Sequence, residues 1–230
     1  MRSSDSRWAT PERAEPPLRR STLARVGCLL LLFVLAAPSV RADGGAAPAS
    51  AAIERLHAAL LDVMQHAASL GYEGRARRLA PVVAAVYDIP TMARIAVGKY
   101  WKDLSPDDQQ RLTDAFARFT VANYAGRFDG YSGERFEMLG EEDAPQGLRL
   151  VRTRLVPAEG EVVRLDYRLR STPDGWRIVD VFLNGTVSEL ALRRAQYTAV
   201  IERDGFPALL EALDKKIADL ASGNEKGPPS

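Results

Sequence analysis

Four strand-like segments follow one another between residues 135 and 183, and the connections between them are short. They cover residues 135–139, 148–156, 162–170 and 176–183. Turn residues follow the second and third segments, as Ala158-Glu159-Gly160 and Pro173-Asp174-Gly175. A parallel pair of strands needs a crossover of about a dozen residues or more, which these connections do not supply. The pattern therefore predicts a four-stranded antiparallel meander.

The third segment indicates how this sheet would be covered. Its apolar and charged residues alternate: Val163, Leu165, Tyr167 and Leu169 are interleaved with Arg164, Asp166, Arg168 and Arg170. Successive side chains of a strand point to opposite faces, so one face of the strand is apolar and the other is charged. We therefore expect the sheet to be covered on one face only.

Helical patterns lie on both sides of the strand region. Helices are expected at residues 51–70, 75–87, 91–95, 105–128, 188–202 and 206–221. The clearest start is Ser105-Pro106-Asp107-Asp108, with an N-cap serine, a proline at the first position and acidic residues in the first turn. This order predicts an α+β domain with N-terminal helices, the meander sheet, and C-terminal helices packed on one face of the sheet around an apolar cavity.

Residues 1–42 have the pattern of a secretory signal peptide. An arginine-rich start precedes an apolar run at 26–37, and Val40-Arg41-Ala42 provides a cleavage site before Asp43. An uncleaved membrane anchor is the alternative, but a spanning helix needs about 20 apolar residues. The pair Arg19-Arg20 leaves the twin-arginine export route open. We expect a cleaved signal peptide at 1–42, one domain at 43–222 and a disordered tail at 223–230.

The charge of the mature chain argues against a nucleic-acid-binding protein. Of 31 basic and 30 acidic residues, seven and three lie in residues 1–42, which leaves 24 and 27 after cleavage. A protein that binds nucleic acid would show a basic excess. The only cysteine, Cys28, lies in the segment that we expect to be removed. The exported domain therefore has to be stabilised by its hydrophobic core alone.

Residue clusters typical of metal or nucleophile chemistry are absent from the sequence. The two histidines, His57 and His66, are nine positions apart, which places them on opposite faces of the first helix, where we expect both at the surface. No glycine-rich phosphate-binding loop occurs. The run Glu141-Glu142-Asp143 is expected in a solvated loop, and Asn184-Gly185 in a turn. The sequence therefore predicts neither a metal site nor a nucleophile–histidine pair.

Asp180 interrupts the apolar run of the fourth strand-like segment. Strict alternation places it on the face of Trp176, Ile178 and Phe182, opposite Val179, Val181 and Leu183. One interpretation is a structural acceptor paired with an arginine of a neighbouring strand or with Arg194. The other is an enzymatic general base, with Asp166 as a substitute and Tyr167 or Tyr124 as an oxyanion donor.

Several ordered motifs resemble the toluene-tolerance/MlaC family. They are Gly98-Lys99-Tyr100-Trp101-Lys102, Ser105-Pro106-Asp107-Asp108-Gln109, Trp176-Arg177-Ile178-Val179-Asp180-Val181, Asn184-Gly185-Thr186-Val187-Ser188 and Asp204-Gly205-Phe206. The stretches at 128–137 and 184–191 are most similar to the hopanoid-biosynthesis-associated group, HpnM. The resemblance extends over residues 53–220, which is nearly the whole predicted domain.

The resemblance implies a periplasmic lipid carrier that is not an enzyme and needs no metal or cofactor. Proteins of this kind hold the acyl tails of a phospholipid in an apolar cavity, and a hopanoid is the expected cargo of the hopanoid-associated group. Their partners are an inner-membrane lipid ABC transporter complex and an outer-membrane lipid complex. A general envelope docking module, using Arg193-Arg194 or Lys215-Lys216, is the remaining alternative.

Apolar residues of the helices and of the inward strand faces are the candidates for the cavity wall, since an apolar pocket is the usual small-molecule site. The predicted lipid-binding residues are Val83, Val86, Tyr87, Ile95, Tyr100, Trp101, Phe116, Phe119, Tyr124, Val163, Leu165, Val181 and Leu183.

Overall fold

The computed structural model describes residues 47–223. The predicted signal peptide at 1–42 and residues 224–230 of the predicted tail lie outside this range. Within the described range, no helix combines the length and the apolar character that crossing a membrane requires.

The described chain forms six α-helices and five β-strands, in the order expected for an α+β domain. The helices are α1 (Ala49–Gln65), α2 (Ala67–Val86), α3 (Ile89–Val97), α4 (Pro106–Arg127), α5 (Glu189–Asp204) and α6 (Phe206–Ala221). The strands are β1 (Arg135–Ala144), β2 (Leu148–Val156), β3 (Val163–Thr172), β4 (Gly175–Leu183) and β5 (Val187–Ser188). Short 3₁₀ helices lie at Gly98–Asp103 and Pro145–Gly147.

The sheet is antiparallel with the strand order β1-β2-β3-β4-β5, one strand more than predicted. The extra strand, β5, pairs with the end of β4. With only two residues, β5 is too short for a periodic pattern to reveal it. Asn184 and Gly185 lie between the two strands with φ of 50° and 73°. An Asn-Gly pair accepts this left-handed conformation readily, so the predicted turn is confirmed, and it reverses the chain tightly enough for β5 to pair.

β1 is longer than predicted, which corrects the position of the acidic run at 141–143. Instead of lying in a loop, this run belongs to the strand, where Glu141 pairs with Val151 and Asp143 with Arg149. The Glu141 carboxylate accepts hydrogen bonds from the backbone N–H groups of Ala49 and Ser50 at 3.3 and 2.9 Å. An anion at a helix N-terminus is favoured by the orphan donors there, so Glu141 fastens the start of α1 to the sheet.

The expected division of the sheet into two faces is present. Val151, Leu165, Tyr167, Leu169 and Ile178 are buried on the face that we call the inward face, against the helices. α1, α2, α3 and α5 contact β4, and α4 packs against α2 and α6. The other, outward face carries ion pairs between strand residues, such as Arg164 with Asp166 at 2.7 Å. The core therefore lies on one side of the sheet only.

A bulge at Val179 corrects the predicted faces of β4. Leu169 pairs with Ile178, but the preceding residue, Arg168, pairs with Asp180, so Val179 is an extra residue in β4. The bulge interrupts the alternation and places Ile178 on the inward face and Asp180 on the outward face. Strict alternation had put both on one face.

The helix boundaries differ from the prediction near the first break. α1 ends at Gln65 rather than at residue 70, and α2 runs from Ala67 through Gly71, whose φ of 57° and ψ of −177° are not helical. The predicted start at Ser105 is confirmed, since its side chain accepts the Asp108 N–H at 3.1 Å and α4 follows from Pro106. The cap is visible in the sequence, whereas the helix junction at His66 has no such signal.

Candidate functional site

The inward face of the sheet brings together part of the predicted lipid-binding set. Val163 and Leu165 of β3 lie beside Val181 and Leu183 of β4, and Leu165 pairs directly with Leu183. The buried Tyr87, at the end of α2, joins them because it forms a parallel bridge with Ile178 of β4. Val83 and Val86 are buried in α2 and belong to the same core.

The remaining predicted residues have their contacts farther along the helical layer. The ring of Phe116 on α4 lies 6.3 Å from that of Tyr197 on α5. Phe119 lies beneath the Arg193 guanidinium at 4.4 Å. Tyr100 donates to the Glu202 carboxylate of α5 at 2.6 Å. Ile95 and Trp101 are half-buried at the edge of the core. The predicted set is therefore divided between two regions.

Two tyrosines meet beneath the sheet through their hydroxyl groups. Tyr87 and Tyr124 are hydrogen-bonded to each other, and their ring centroids are 6.2 Å apart. Burial raises the pKa of Tyr124 to about 12 and that of Tyr87 well above its ordinary value. Both hydroxyls therefore stay neutral at physiological pH, and each satisfies the other in a dry environment.

His57 contributes a second neutral pair to this region, which corrects its expected place on the helix surface. Its Nε2 atom is hydrogen-bonded to the Tyr167 hydroxyl at 3.1 Å, and its ring stacks on Phe136 at 4.0 Å. Burial lowers the pKa of His57 to about 4, so the imidazole is uncharged at neutral pH. The sequence does indicate that His57 is buried, because it lies four residues after Ile53 and three before Leu60, within the apolar stripe of α1.

These side chains form a continuous group that we call the aromatic cluster. Its members are His57, Tyr87, Tyr124, Phe128, Phe136 and Tyr167. Phe128 links its two halves, with its ring centroid 5.8 Å from Tyr124 and 6.3 Å from Phe136. Because every polar atom of the cluster is neutral, the region suits apolar or uncharged ligand groups rather than ions.

Asp180 lies on the outward face of the sheet, away from the aromatic cluster, and three hydrogen bonds engage its carboxylate. The N–H groups of Val181 and Leu190 donate to it at 2.9 and 3.1 Å, and the Ser188 hydroxyl donates at 2.7 Å. Burial raises the pKa of Asp180, and these hydrogen bonds oppose the rise. Ser188 in turn caps α5 by accepting the Ala191 N–H. The carboxylate thus fastens the N-terminus of α5 to β4.

The ionic partner of Asp180 is the arginine of a neighbouring strand, one of the two predicted possibilities. Arg168 approaches the carboxylate at 3.9 Å, and its guanidinium also lies 4.6 Å above the Phe182 ring. Arg194 is elsewhere, packed against Gly98, where an added Cβ would meet its guanidinium at 3.0 Å. Asp166, the other candidate base, is also directed outward and pairs with Arg164. Neither carboxylate belongs to the aromatic cluster.

Possible metal ligands are dispersed in the described part of the chain. Over residues 47–223, no three histidine, cysteine, aspartate or glutamate side chains are grouped closely enough to hold a metal ion.

Comparison with known proteins shows the family of the chain and solved structures that share its fold. The sequence model of the family described as "MlaC protein" matches residues 54–215. A phospholipid-binding protein from Ralstonia solanacearum, solved in complex with a phospholipid, superposes with a TM-score of 0.67 at 24% identity. The match covers 76% of this chain and 99% of that protein, and it shows that the two share a fold. No curated protein matches the chain.

The burial of neutral His57 makes stability depend on pH. Its folded pKa of about 4 lies below the ordinary value of 6.5, so the unfolded chain binds the proton more tightly. The contribution of neutral His57 to the free energy of unfolding is complete above about pH 6.5. It is lost as the pH falls toward 4, by about 1.4 kcal/mol per pH unit. Denaturant unfolding between pH 7 and 4 measures this slope. The variant His57→Phe keeps an aromatic ring, and an unchanged slope in this variant would contradict the assignment.

Removing the Asp180 carboxylate is expected to destabilise the fold. Asp180→Ala removes the acceptor of the buried Leu190 N–H and of the partly buried Val181 N–H, and a buried donor left without a partner costs about 1–3 kcal/mol. The free energy of unfolding, measured with urea, should therefore fall by about 3 kcal/mol. Asp174→Ala, in the exposed turn before β4, is the matched control and should change it by less than about 0.5 kcal/mol. Equal effects of the two substitutions would show that Asp180 has no such role.

Proposed function

The chain belongs to the MlaC protein family, and from this membership we propose that it is a non-enzymatic lipid-binding protein that carries the apolar part of a phospholipid or hopanoid. The family match over residues 54–215 is the observation that carries the proposal. The related Ralstonia solanacearum protein, which binds a phospholipid, supports the choice of ligand class. The neutral aromatic cluster supports it independently, since it suits acyl chains and excludes ions.

The proposed site lies between the inward face of the sheet and the helices. Its walls are the predicted residues of β3, of β4 and of the end of α2, together with Tyr124. Among them Tyr124, Val163, Val181 and Leu183 are only half-buried and adjoin the aromatic cluster. Moving one CH₂ group from water into such surroundings contributes about 0.8 kcal/mol, so an acyl chain is held mainly by burial. Rearrangement of the half-buried side chains would make room for it.

The setting of this activity is also a proposal. Residues 1–42 would direct the chain to the periplasm and be removed, leaving a domain at 43–222 with a disordered tail. There it would receive lipid from, or deliver it to, an inner-membrane ABC transporter complex and an outer-membrane complex. A neutral aromatic cluster and an exterior with many ion pairs are consistent with transit through water.

The enzymatic alternative, with Asp180 as general base, has no support from the geometry. The carboxylate is directed to the opposite face of the sheet from the proposed site, and its oxygens already accept three hydrogen bonds. We therefore assign Asp180 a structural role within this proposal.

Native mass spectrometry of protein purified from its own periplasm, followed by organic extraction, tests the proposal. We expect one phospholipid or hopanoid molecule per chain. If no lipid co-purifies and none binds when offered in phosphatidylethanolamine vesicles, the proposal fails.

Adjacent residues on the two faces of β4 provide a matched pair of variants. Val181 is directed inward and Phe182 outward, and both are half-buried. Val181→Gln places an amide in the proposed site and should weaken lipid binding about tenfold, the effect of about 1.4 kcal/mol. Phe182→Gln should leave lipid binding unchanged. Equal lipid retention by the two variants in the vesicle assay would place the lipid elsewhere.

A further inference from the structure

A separate cleft lies in the helical layer, between α4, α5 and α6. It has a volume of about 250 Å³. Five of its nine lining residues are apolar: Phe119, Val200, Leu209, Ala212 and Leu213. The other four are Arg193, Gln196, Tyr197 and Lys216. At about 30 Å³ per molecule, the volume equals that of roughly eight waters, which is room for a short aliphatic ligand but not for a phospholipid.

The polarity of the cleft changes along its length. α5 and α6 are consecutive helices that meet at Gly205, so residues close to Gly205 in sequence lie near the corner. Val200 and Leu209 are on the corner side, whereas Arg193 and Lys216 are farther along their helices. The seven residues from Arg193 to Val200, at 1.5 Å each, separate the two levels by roughly 10 Å. The cleft therefore has an apolar end and a cationic end.

Between these levels, Tyr197 presents an unsatisfied polar group. Its side chain is 6% exposed, and its hydroxyl is buried without a hydrogen-bond partner in the described part of the chain. Burial raises the pKa of Tyr197, and the neighbouring guanidinium of Arg193 opposes this rise. Such an orphan group costs about 1–3 kcal/mol, and native proteins rarely keep one without a reason.

Arg193 is held in place at the cationic end. Its guanidinium lies over the Phe119 ring at 4.4 Å and pairs with Glu189 at 3.2 Å. It is only 18% exposed, so it is positioned by its neighbours and still borders the cleft. A guanidinium that is already oriented binds a carboxylate with little loss of side-chain entropy.

We propose that this cleft is a second binding site, which takes a single-chain carboxylate amphiphile such as a fatty acid. Its aliphatic chain would lie against Val200, Leu209 and Leu213, and its carboxylate would meet Arg193. The Tyr197 hydroxyl would donate a hydrogen bond to the ligand carboxylate. The site is distinct from the proposed phospholipid site, because its walls are helices alone and none of its lining residues belongs to the sheet.

Methyl-resolved NMR of the full mature domain, titrated with decanoate, tests the proposal. Saturable shifts are expected at the methyl groups of Val200, Leu209 and Leu213. Decanol, which lacks the charge, should bind at least about tenfold more weakly, as expected when a charge-assisted hydrogen bond is lost. Shifts confined to Val181 and Leu183 would place decanoate in the phospholipid site and overturn the proposal, as would the absence of saturable binding.

Three substitutions separate binding from folding. Tyr197→Phe removes only the hydroxyl; it should raise the melting temperature of the free protein and weaken decanoate binding about fivefold. An unchanged affinity in this variant would overturn the role of Tyr197. Ala212→Trp fills the cleft and should abolish the shifts, whereas Ala218→Trp, exposed on α6 outside the cleft, is the matched control. Equal binding by the two tryptophan variants would overturn the site. Phospholipid retention is measured in a separate assay. A loss of decanoate binding is therefore distinguishable from a loss of phospholipid binding.

Discussion

Burial of the inward face of the sheet requires that all the strands direct their apolar residues to one side, and in β4 this depends on one extra residue. The bulge at Val179 turns Ile178 inward opposite Leu169 and keeps Asp180 outward opposite Arg168. Without it, one half of β4 would present the wrong face, because a shift of one residue exchanges the two sides of a strand. Because of this bulge, the apolar residues of both halves of β4 lie on the side of the sheet on which the helices pack.

The bulge at Val179 also connects the sheet to the helical layer. Once Asp180 faces outward at the end of β4, its carboxylate can accept the N–H of Leu190 and the hydroxyl of Ser188, and so hold the start of α5. Glu141 does the equivalent for α1 from the opposite edge of the sheet, on β1. The carboxylates of Asp180 and Glu141 thus hold the starts of two helices against the sheet. The side chains of the aromatic cluster are all neutral, which is the property that the proposed lipid site needs.

The interior is dry but not purely aliphatic, and its polar groups occur in pairs. His57 with Tyr167, and Tyr87 with Tyr124, satisfy each other without involving an ion. A buried hydroxyl or imidazole without a partner would cost free energy, so pairing lets a polar group remain beside apolar walls. Tyr197 departs from this rule, and its place in the cleft between α4, α5 and α6 makes the departure informative.

Local signals in the sequence determined much of the architecture. The Ser105 cap, the turn at Asn184-Gly185 and the alternation in β3 were all sufficient, because each depends on residues within a few positions. The motif order also identified the family. The two-residue β5 was too short for periodicity to reveal. Three features depended on tertiary structure: the bulge in β4, the extension of β1 and the hydrogen-bond partner of His57. Each is decided by contacts between different segments of the chain, such as Glu141 with α1 or His57 with Tyr167, and local periodicity carries no information about such partners.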